Sequence, residues 1–160
     1  MPITYEAIAT NTLGSATSTV TFSSIPQTYT DLVLIIMGNA GGATSASMRF
    51  NSDSGTNYSN TYVQGDGSSV GNFRDVNVTS NWAGSFYSTT TPSISRHNIM
   101  NYANATTFKS SIIRGDYGIG FTVVAAQVWR STAAITSITL ATGANFSTGT
   151  TFSLYGIKAA

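Results

Sequence analysis

The sequence contains no cysteine, and only 8% of its 160 residues carry a charge. Without thiols the chain forms no disulfide and no thiolate zinc site. A typical domain has about 25% charged residues, so Ser, Thr, Asn and Gly must cover most of the surface here. Such a surface is typical of a protein that is packed against neighbours in an assembly, because charge contributes little to its solubility.

The few charges are balanced and scattered. Seven basic and six acidic residues give a formal net charge of +1, and no run of Lys or Arg is present to meet a phosphate backbone. The longest apolar run, Leu32 to Gly38, has about a third of the roughly 20 residues that a membrane-spanning helix needs. We therefore expect no nucleic-acid partner and no membrane segment.

Catalytic groups are also scarce. His97 is the only histidine, and no turn of the GxSxG type surrounds any of the many hydroxyl groups. The six acidic residues are scattered, so a carboxylate pair of the glycosidase type finds no support in the sequence, although a fold could assemble one. We expect no enzymatic activity, no catalytic residue and no cofactor, and we interpret His97 as a structural residue.

The stretch NSDSGTN faintly resembles a calcium-binding loop. It places oxygen-bearing side chains at Asn51 and Asp53 and a glycine at Gly55, but it lacks the charge density and the closing glutamate of such a loop. The same residue types favour tight turns. We interpret the stretch as a turn, predict no metal-ligating residue, and leave a weak cation site near Asn51, Asp53 and Gly55 open.

Short runs of Val, Ile, Thr, Phe and Tyr recur between turns rich in Gly, Asn, Ser and Asp, which is typical of strands. No stretch holds an apolar stripe of helical period for more than a turn or two. The sequence predicts one domain over residues 1–160, an all-β, jelly-roll-like antiparallel β-sandwich. The predicted strands are Thr4–Thr10, Ser18–Phe22, Asp31–Met37, Ala46–Asn51, Asn60–Val63, Ser85–Ser88, Arg96–Met100, Thr107–Ile113, Gly120–Trp129, Ile135–Ala141 and Thr151–Ile157.

The region from Gly65 to Ile94 is the least regular part of the sequence. We expect long exposed loops there, used for contact, and we expect Met1 to Ile8 to form a docking arm. Exposed aromatic side chains can stack on a sugar ring or anchor a subunit interface. The residues predicted to form the contact surface are Met1, Pro2, Ile3, Tyr5, Trp82, Phe86 and Tyr87.

A family resemblance is carried by five stretches between residue 20 and the end of the chain: VTFSSIPQTYTDLVLII, MRFNSDSGTNYS, NIMNYANATTFKS, VWRSTAAITSITL and FSLYGIKAA. In this order they resemble a family of small virion structural proteins of tailed bacteriophages, including phages of aquatic bacteria. The resemblance implies a jelly-roll-like sandwich that often works as a trimer and that has no catalytic residues.

The resemblance leaves two roles open. The first is a head decoration, or cement, protein: a homotrimer on the outer surface of the capsid, with the major capsid protein as its partner. The alternative is a receptor-binding module of a tail fibre or spike, in which Trp82, Tyr87 or Tyr62 stacks on host surface glycan. We rank it second because the sequence lacks coiled-coil heptads for a fibre shaft. An enzyme acting on cell-wall glycan is the least supported.

Overall fold

A computed structural model of the chain describes residues 5–158, which contain twelve β-strands and no helix. No helix in this range could therefore cross a membrane. The strands are β1 (Tyr5–Thr12), β2 (Thr17–Phe22), β3 (Asp31–Gly38), β4 (Thr44–Phe50), β5 (Tyr58–Gly65), β6 (Val70–Val78), β7 (Asn81–Phe86), β8 (Ser93–Met100), β9 (Lys109–Asp116), β10 (Thr122–Trp129), β11 (Ile138–Phe146) and β12 (Thr151–Ile157).

The strands form two antiparallel sheets of unequal width. Eight strands make the larger sheet, in the order β1-β12-β3-β8-β9-β10-β5-β6, and four make the smaller, in the order β2-β11-β4-β7. The two sheets pack face to face over a shared apolar core, which confirms the predicted all-β antiparallel sandwich. Strand β6 is exposed along nearly its whole length, because the smaller sheet does not reach that end of the larger one.

Side-chain alternation along each strand builds the core. Strand β12 is an example: Phe152, Leu154 and Gly156 are buried between the sheets, while Tyr155 and Ile157 face the other way and are half-buried. The C-terminal strand therefore has one face in the core and one face outside it. Glycine is required at position 156, because a Cβ atom there would collide with the ring of Tyr29.

The prediction of long loops from Gly65 to Ile94 is wrong, since β6 and β7 lie within this region. Strand β7 has the sequence NWAGSF, which is poor in β-branched residues. It forms the edge of the smaller sheet and lies against the larger one, where buried polar side chains supply partners for its backbone. Tertiary hydrogen bonds thus replace the local strand propensity that the sequence lacks.

The predicted docking arm is corrected over its second half. Residues from Tyr5 to Ile8 begin β1, which pairs with β12 starting from Tyr5 and Ile157. Glu6 fixes this edge, because it accepts a hydrogen bond from Tyr29 at 3.1 Å and forms an ion pair with Lys158 at 2.8 Å. The remaining residues of the predicted arm, Met1 to Thr4, lie outside the described residues.

Candidate functional site

A cleft lined by six aromatic side chains opens between the sheets at the end where the smaller sheet stops short of β6. Its volume is about 290 Å³. We call it the aromatic cleft. Its lining residues are Tyr62, Phe73, Trp82, Tyr87, Tyr117 and Phe121, together with Ser45, Gln64, Ser85 and Ile119.

Three of the rings form a stack along one side of the cleft. The ring of Tyr62 stacks with that of Phe73, with centroids 5.2 Å apart and planes inclined at 25°, and with that of Trp82 at 5.9 Å and 17°. Offset aromatic pairs of this kind contribute about 0.5–1.5 kcal/mol beyond the area that they bury. The stack therefore holds the half-buried Trp82 ring in a defined orientation.

Tyr117 joins this stack to the other rings of the cleft. It meets Trp82 edge-on at a centroid distance of 6.1 Å and Tyr87 edge-on at 5.2 Å, and it stacks on Phe121 at 5.7 Å. Tyr117 itself is buried, whereas Tyr87 is exposed and Phe121 is half-buried. The buried ring thus supports a wall of aromatic surface that remains open to solvent.

Polar residues of the larger sheet position Trp82. The side-chain oxygen of Asn60 accepts a hydrogen bond from the Trp82 amide at 3.1 Å, and the side-chain amide of Gln127 donates to the Trp82 carbonyl at 2.7 Å. The indole N–H of Trp82 donates to the Ser85 hydroxyl at 3.2 Å, which in turn bonds to the hydroxyl of Ser45 at 2.8 Å. Both the backbone and the ring of Trp82 are therefore fixed.

The aromatic cleft is uncharged, since none of its lining residues is acidic or basic. Burial raises the pKa of Tyr117 to about 12. Burial also raises the pKa of Tyr62, and the nearby negative charge of Asp75 adds to this shift. The phenols are therefore neutral at physiological pH. Gln64 accepts a hydrogen bond from the Tyr117 hydroxyl at 2.5 Å, while its amide nitrogen has no partner within the described chain.

The structure separates the residues predicted as contact surface. Trp82 and Tyr87 both line the aromatic cleft, as does Tyr62. Phe86 does not, because it faces the core, is 2% exposed and packs edge-on against Phe146 at 5.6 Å. Its prediction as a contact residue is wrong for this reason. Met1, Pro2 and Ile3 lie outside the described residues.

Tyr5 lies on the opposite side of the molecule, on the surface of the eight-stranded sheet that faces away from the four-stranded sheet. We call this surface the outer face. The Tyr5 hydroxyl accepts a hydrogen bond from the Arg96 guanidinium at 2.9 Å, and the guanidinium also lies 5.8 Å from the centre of the Tyr5 ring. Tyr5 is 47% exposed, so it belongs to an accessible surface but not to the aromatic cleft.

Sequence reasoning missed three of the six aromatic residues of the cleft: Phe73, Tyr117 and Phe121. Phe73 lies on β6, which was not recognised as a strand. Tyr117 lies between the predicted strands Thr107–Ile113 and Gly120–Trp129, in the glycine-rich stretch GDYGIG that leads from β9 to β10. The glycines of this stretch indicate a turn, but no local sequence pattern indicates that the turn contains a buried aromatic ring.

The outer face is apolar and carries arginines. One row of paired residues crosses four strands, from Val63 through Val124 and Arg114 to Arg96. Val124 is 57% exposed and Val70, at the edge of the sheet, is 78% exposed. Together with Val63 and Arg114 they line a shallow depression of about 380 Å³. The exposed apolar residues of the outer face are Met37, Val63, Val70, Val76, Ile94, Met100, Ile112 and Val124.

His97 is fully buried on the inner face of β8. Its Nε2 lies 3.2 Å from the carbonyl oxygen of Ala83 and 3.3 Å from the hydroxyl of Ser95. Burial lowers the pKa of His97 to about 4, so the ring is neutral at pH 7. Its partners are a backbone carbonyl and a hydroxyl that lies within the core, and the sequence interpretation of His97 as a structural residue agrees with this position.

The loop from Asn51 to Asn57 uses its oxygen atoms internally. One carboxylate oxygen of Asp53 accepts from the Gly55 amide at 2.8 Å, and the other accepts from the side chain of Asn57 at 3.0 Å and from the indole N–H of Trp129 at 2.7 Å. The hydrogen bond from Asn57, together with those from Trp129 and Gly55, lowers the pKa of Asp53. Residues 5–158 contain no group of three His, Cys, Asp or Glu side chains placed to hold a metal ion. The geometry is that of a tight turn.

Comparisons with known proteins define the chain by its fold alone. No family model and no curated protein matches it. Among solved structures it is similar to an exo-inulinase from Aspergillus awamori, with a TM-score of 0.50 and 18% identity, over 96% of this chain and 29% of the enzyme. The chain thus spans less than a third of that protein. At this identity the likeness establishes a shared β-sandwich architecture and nothing about activity.

Proposed function

We propose that this chain is a structural protein of a tailed-bacteriophage virion, of the decoration or cement type, which binds to the major capsid protein on the outside of the head. The mechanism is mechanical: each copy adds a modest contact between neighbouring coat subunits, and many copies together stabilise the shell. The family resemblance of the sequence and the character of the outer face support this proposal.

The outer face is the observation that carries the proposal. Eight exposed aliphatic or methionine side chains lie on one sheet surface, and apolar patches on this scale mark interaction sites. Only 8% of the residues are charged, and this composition favours a protein that is packed against a partner.

The arginines of the outer face indicate which partner it takes. Arg96 and Arg114 are directly opposite each other on neighbouring strands, an arrangement that is repulsive. The only ion pair within residues 5–158 joins Lys158 to Glu6, so neither arginine is neutralised by a salt bridge there. A partner that places a carboxylate between them relieves the repulsion. These two arginines therefore favour an apolar partner surface that offers a carboxylate at this point.

Copy number per virion tests the placement. We expect quantitative mass spectrometry of purified virions to find hundreds of copies, near parity with the major capsid protein. A few tens of copies would instead indicate a tail component and favour the alternative of a receptor-binding module, which the meeting of Tyr62, Trp82 and Tyr87 in one cleft supports. Absence of the protein from virions would overturn both.

A pair of matched variants tests the docking surface. Val124→Glu places a charge at the centre of the outer face, whereas Thr19→Glu places the same charge on β2, at an exposed position of the smaller sheet. We expect Val124→Glu to load at least tenfold less well onto capsids that lack the protein, because it adds a buried charge and repels an acidic partner. Thr19→Glu should load like the wild type. Equal loading of both variants would contradict docking through the outer face.

The proposal includes a homotrimer, which rests on the family resemblance. Sedimentation equilibrium of the purified protein measures its mass directly. We expect three times the 16.8 kDa of one chain, and a monomer at micromolar concentration would remove the trimer from the proposal without affecting docking through the outer face.

A further inference from the structure

We propose that the aromatic cleft binds a neutral carbohydrate, of one or two sugar rings, and that it does so while the outer face is docked. This goes beyond the proposed function, since a cement protein needs no ligand other than the coat. The inference rests on the chemistry of the cleft, on its size and on its position relative to the outer face.

The aromatic surface of the cleft matches the chemistry of a sugar ring. Ligand sites combine apolar and aromatic walls with a few polar groups that fix the orientation of the ligand. One face of a pyranose carries mainly C–H groups, which pack on an aromatic ring, whose face is electron-rich. The stacked rings of Tyr62, Phe73 and Trp82 present such a surface at the open end of the sandwich.

Polar groups at the rim supply the partners that sugar hydroxyls need. The amide nitrogen of Gln64 has no partner among residues 5–158, and Gln64 lines the cleft. The hydroxyl of Ser45 is at an exposed position and bonds to Ser85, which leaves it capacity for a further hydrogen bond. An amide and a hydroxyl donate to and accept from hydroxyl groups without requiring that the ligand carry a charge.

The absence of charged side chains from the lining of the cleft selects against other ligand classes. Phosphates, nucleic acids and acidic glycans are bound through Lys or Arg, and none lines this cleft. Both Tyr62 and Tyr117 have raised pKa values, so their phenols stay uncharged. A volume of about 290 Å³ is at the low end for small-molecule sites, which suits one or two sugar rings and not a protein segment.

The position of the cleft allows it to work independently of the outer face. Tyr62 and Val63 are neighbours on β5 whose side chains point to opposite sides of the sheet. Tyr62 lines the aromatic cleft and Val63 belongs to the outer face. When the chain is docked through the outer face, the cleft therefore points away from the capsid. In this orientation it is accessible to glycans in the surrounding medium.

Binding measurements with defined probes test the inference. The probes are maltohexaose, cellohexaose, chitohexaose and the neutral polysaccharide fraction extracted from the envelope of the host. We expect at least one to bind in isothermal titration calorimetry, with little dependence on salt because no charges are involved. No binding to any of the four, or binding of only an acidic polysaccharide that weakens steeply with salt, overturns the inference.

Variants locate the site and separate this inference from the proposed function. Trp82→Ala and Tyr87→Ala should each weaken binding of the positive probe at least tenfold, and Tyr87 is exposed, so its replacement leaves the fold intact. Val124→Glu should bind the probe like the wild type although it fails to load onto capsids, and Trp82→Ala should load normally. Unchanged probe affinity in both Trp82→Ala and Tyr87→Ala would place the ligand elsewhere and overturn the inference.

Discussion

Two aromatic clusters lie on the inner face of the eight-stranded sheet, one covered by the smaller sheet and one open. Tyr58 and Tyr62 lie four residues apart on β5 and point to the same side of the sheet, but they belong to different clusters. Tyr58 packs with Phe50 at a centroid distance of 6.3 Å and with Trp129 at 6.2 Å. This is the covered cluster. Tyr62 belongs to the aromatic cleft.

The covered cluster satisfies its own polar atoms. The Tyr58 hydroxyl donates to the Asp53 carbonyl at 3.1 Å and accepts from the Phe50 amide at 3.1 Å, and the Trp129 indole donates to the Asp53 carboxylate at 2.7 Å. In the aromatic cleft the rings are equally well ordered by stacking, but their outer surfaces meet solvent. Aromatic residues alone therefore do not mark a binding site. The two clusters differ in whether the smaller sheet covers them.

A row of polar residues between the two clusters determines where the smaller sheet stops covering the larger one. Asn60 lies between Tyr58 and Tyr62 on β5, pairs with Gln127 on β10, and Gln127 pairs with Ser111 on β9. The hydroxyl of Ser111 donates to Gln127 at 3.3 Å. Asn60 and Gln127 use their remaining capacity to hold the backbone of Trp82 on β7. The edge of the smaller sheet is thus fixed at this row, and the rings beyond it stay open.

Removal of the largest covered ring should give the largest effect. Trp129 is 2% exposed, so Trp129→Ala leaves a cavity in the core and removes one of the three hydrogen bonds that the Asp53 carboxylate accepts. We expect the free energy of unfolding to fall by about 3–5 kcal/mol, measured by urea denaturation. A loss below about 1 kcal/mol would show that the covered cluster is not part of the core.

The next largest effect on the free energy of unfolding is expected at acidic pH, and it comes from His97. Its pKa is about 4 in the folded chain and about 6.5 when the chain is unfolded, so the unfolded chain binds more protons between these values. The contribution of neutral His97 to the free energy of unfolding is therefore fully present above pH 6.5. It falls as the pH decreases, and at pH 4 the free energy of unfolding is lower by about 3 kcal/mol. Urea denaturation at a series of pH values measures this slope.

The matched variant for this test is His97→Gln, which keeps an amide donor for the Ala83 carbonyl but does not titrate. Its stability should be flat from pH 6.5 down to about 4.5, where Glu6 and Asp53, whose pKa values are lowered in the fold, begin to lose their contribution. The same slope in variant and wild type would assign the acid sensitivity to another group.

The architecture of this chain is predictable from its sequence because strand patterns are local. The C-terminal strand and β2 alternate in apolar side chains, and both were predicted within a residue or two of their observed ends. Strand β6 was not predicted, and only the last two residues of β7 fell within a predicted strand, Ser85–Ser88. Strand β7 depends on Asn60, Gln127 and Ser95 of the larger sheet, and side chains so distant in sequence leave no local signal.

The candidate site was only partly predictable, for a related reason. Trp82, Phe86 and Tyr87 were all singled out because they lie in a region interpreted as irregular, but Phe86 is buried. Exposure of a ring depends on whether the opposite sheet covers it. The sequence identifies aromatic residues, but the unequal widths of the two sheets decide which of them remain open.

The smallest effect on stability is expected for Trp82, the open counterpart of Trp129. Its ring is half-buried and has one hydrogen bond, to Ser85, so Trp82→Ala should lower the free energy of unfolding by about 1 kcal/mol, well below the loss for Trp129→Ala. The two tryptophans are the only ones in the chain, which allows a direct measurement. Acrylamide should quench the wild-type fluorescence readily and that of Trp82→Phe poorly, because Trp129 is shielded. Equal quenching of both proteins would mean that the cleft is closed in solution, and the contrast between a covered and an open cluster would be lost.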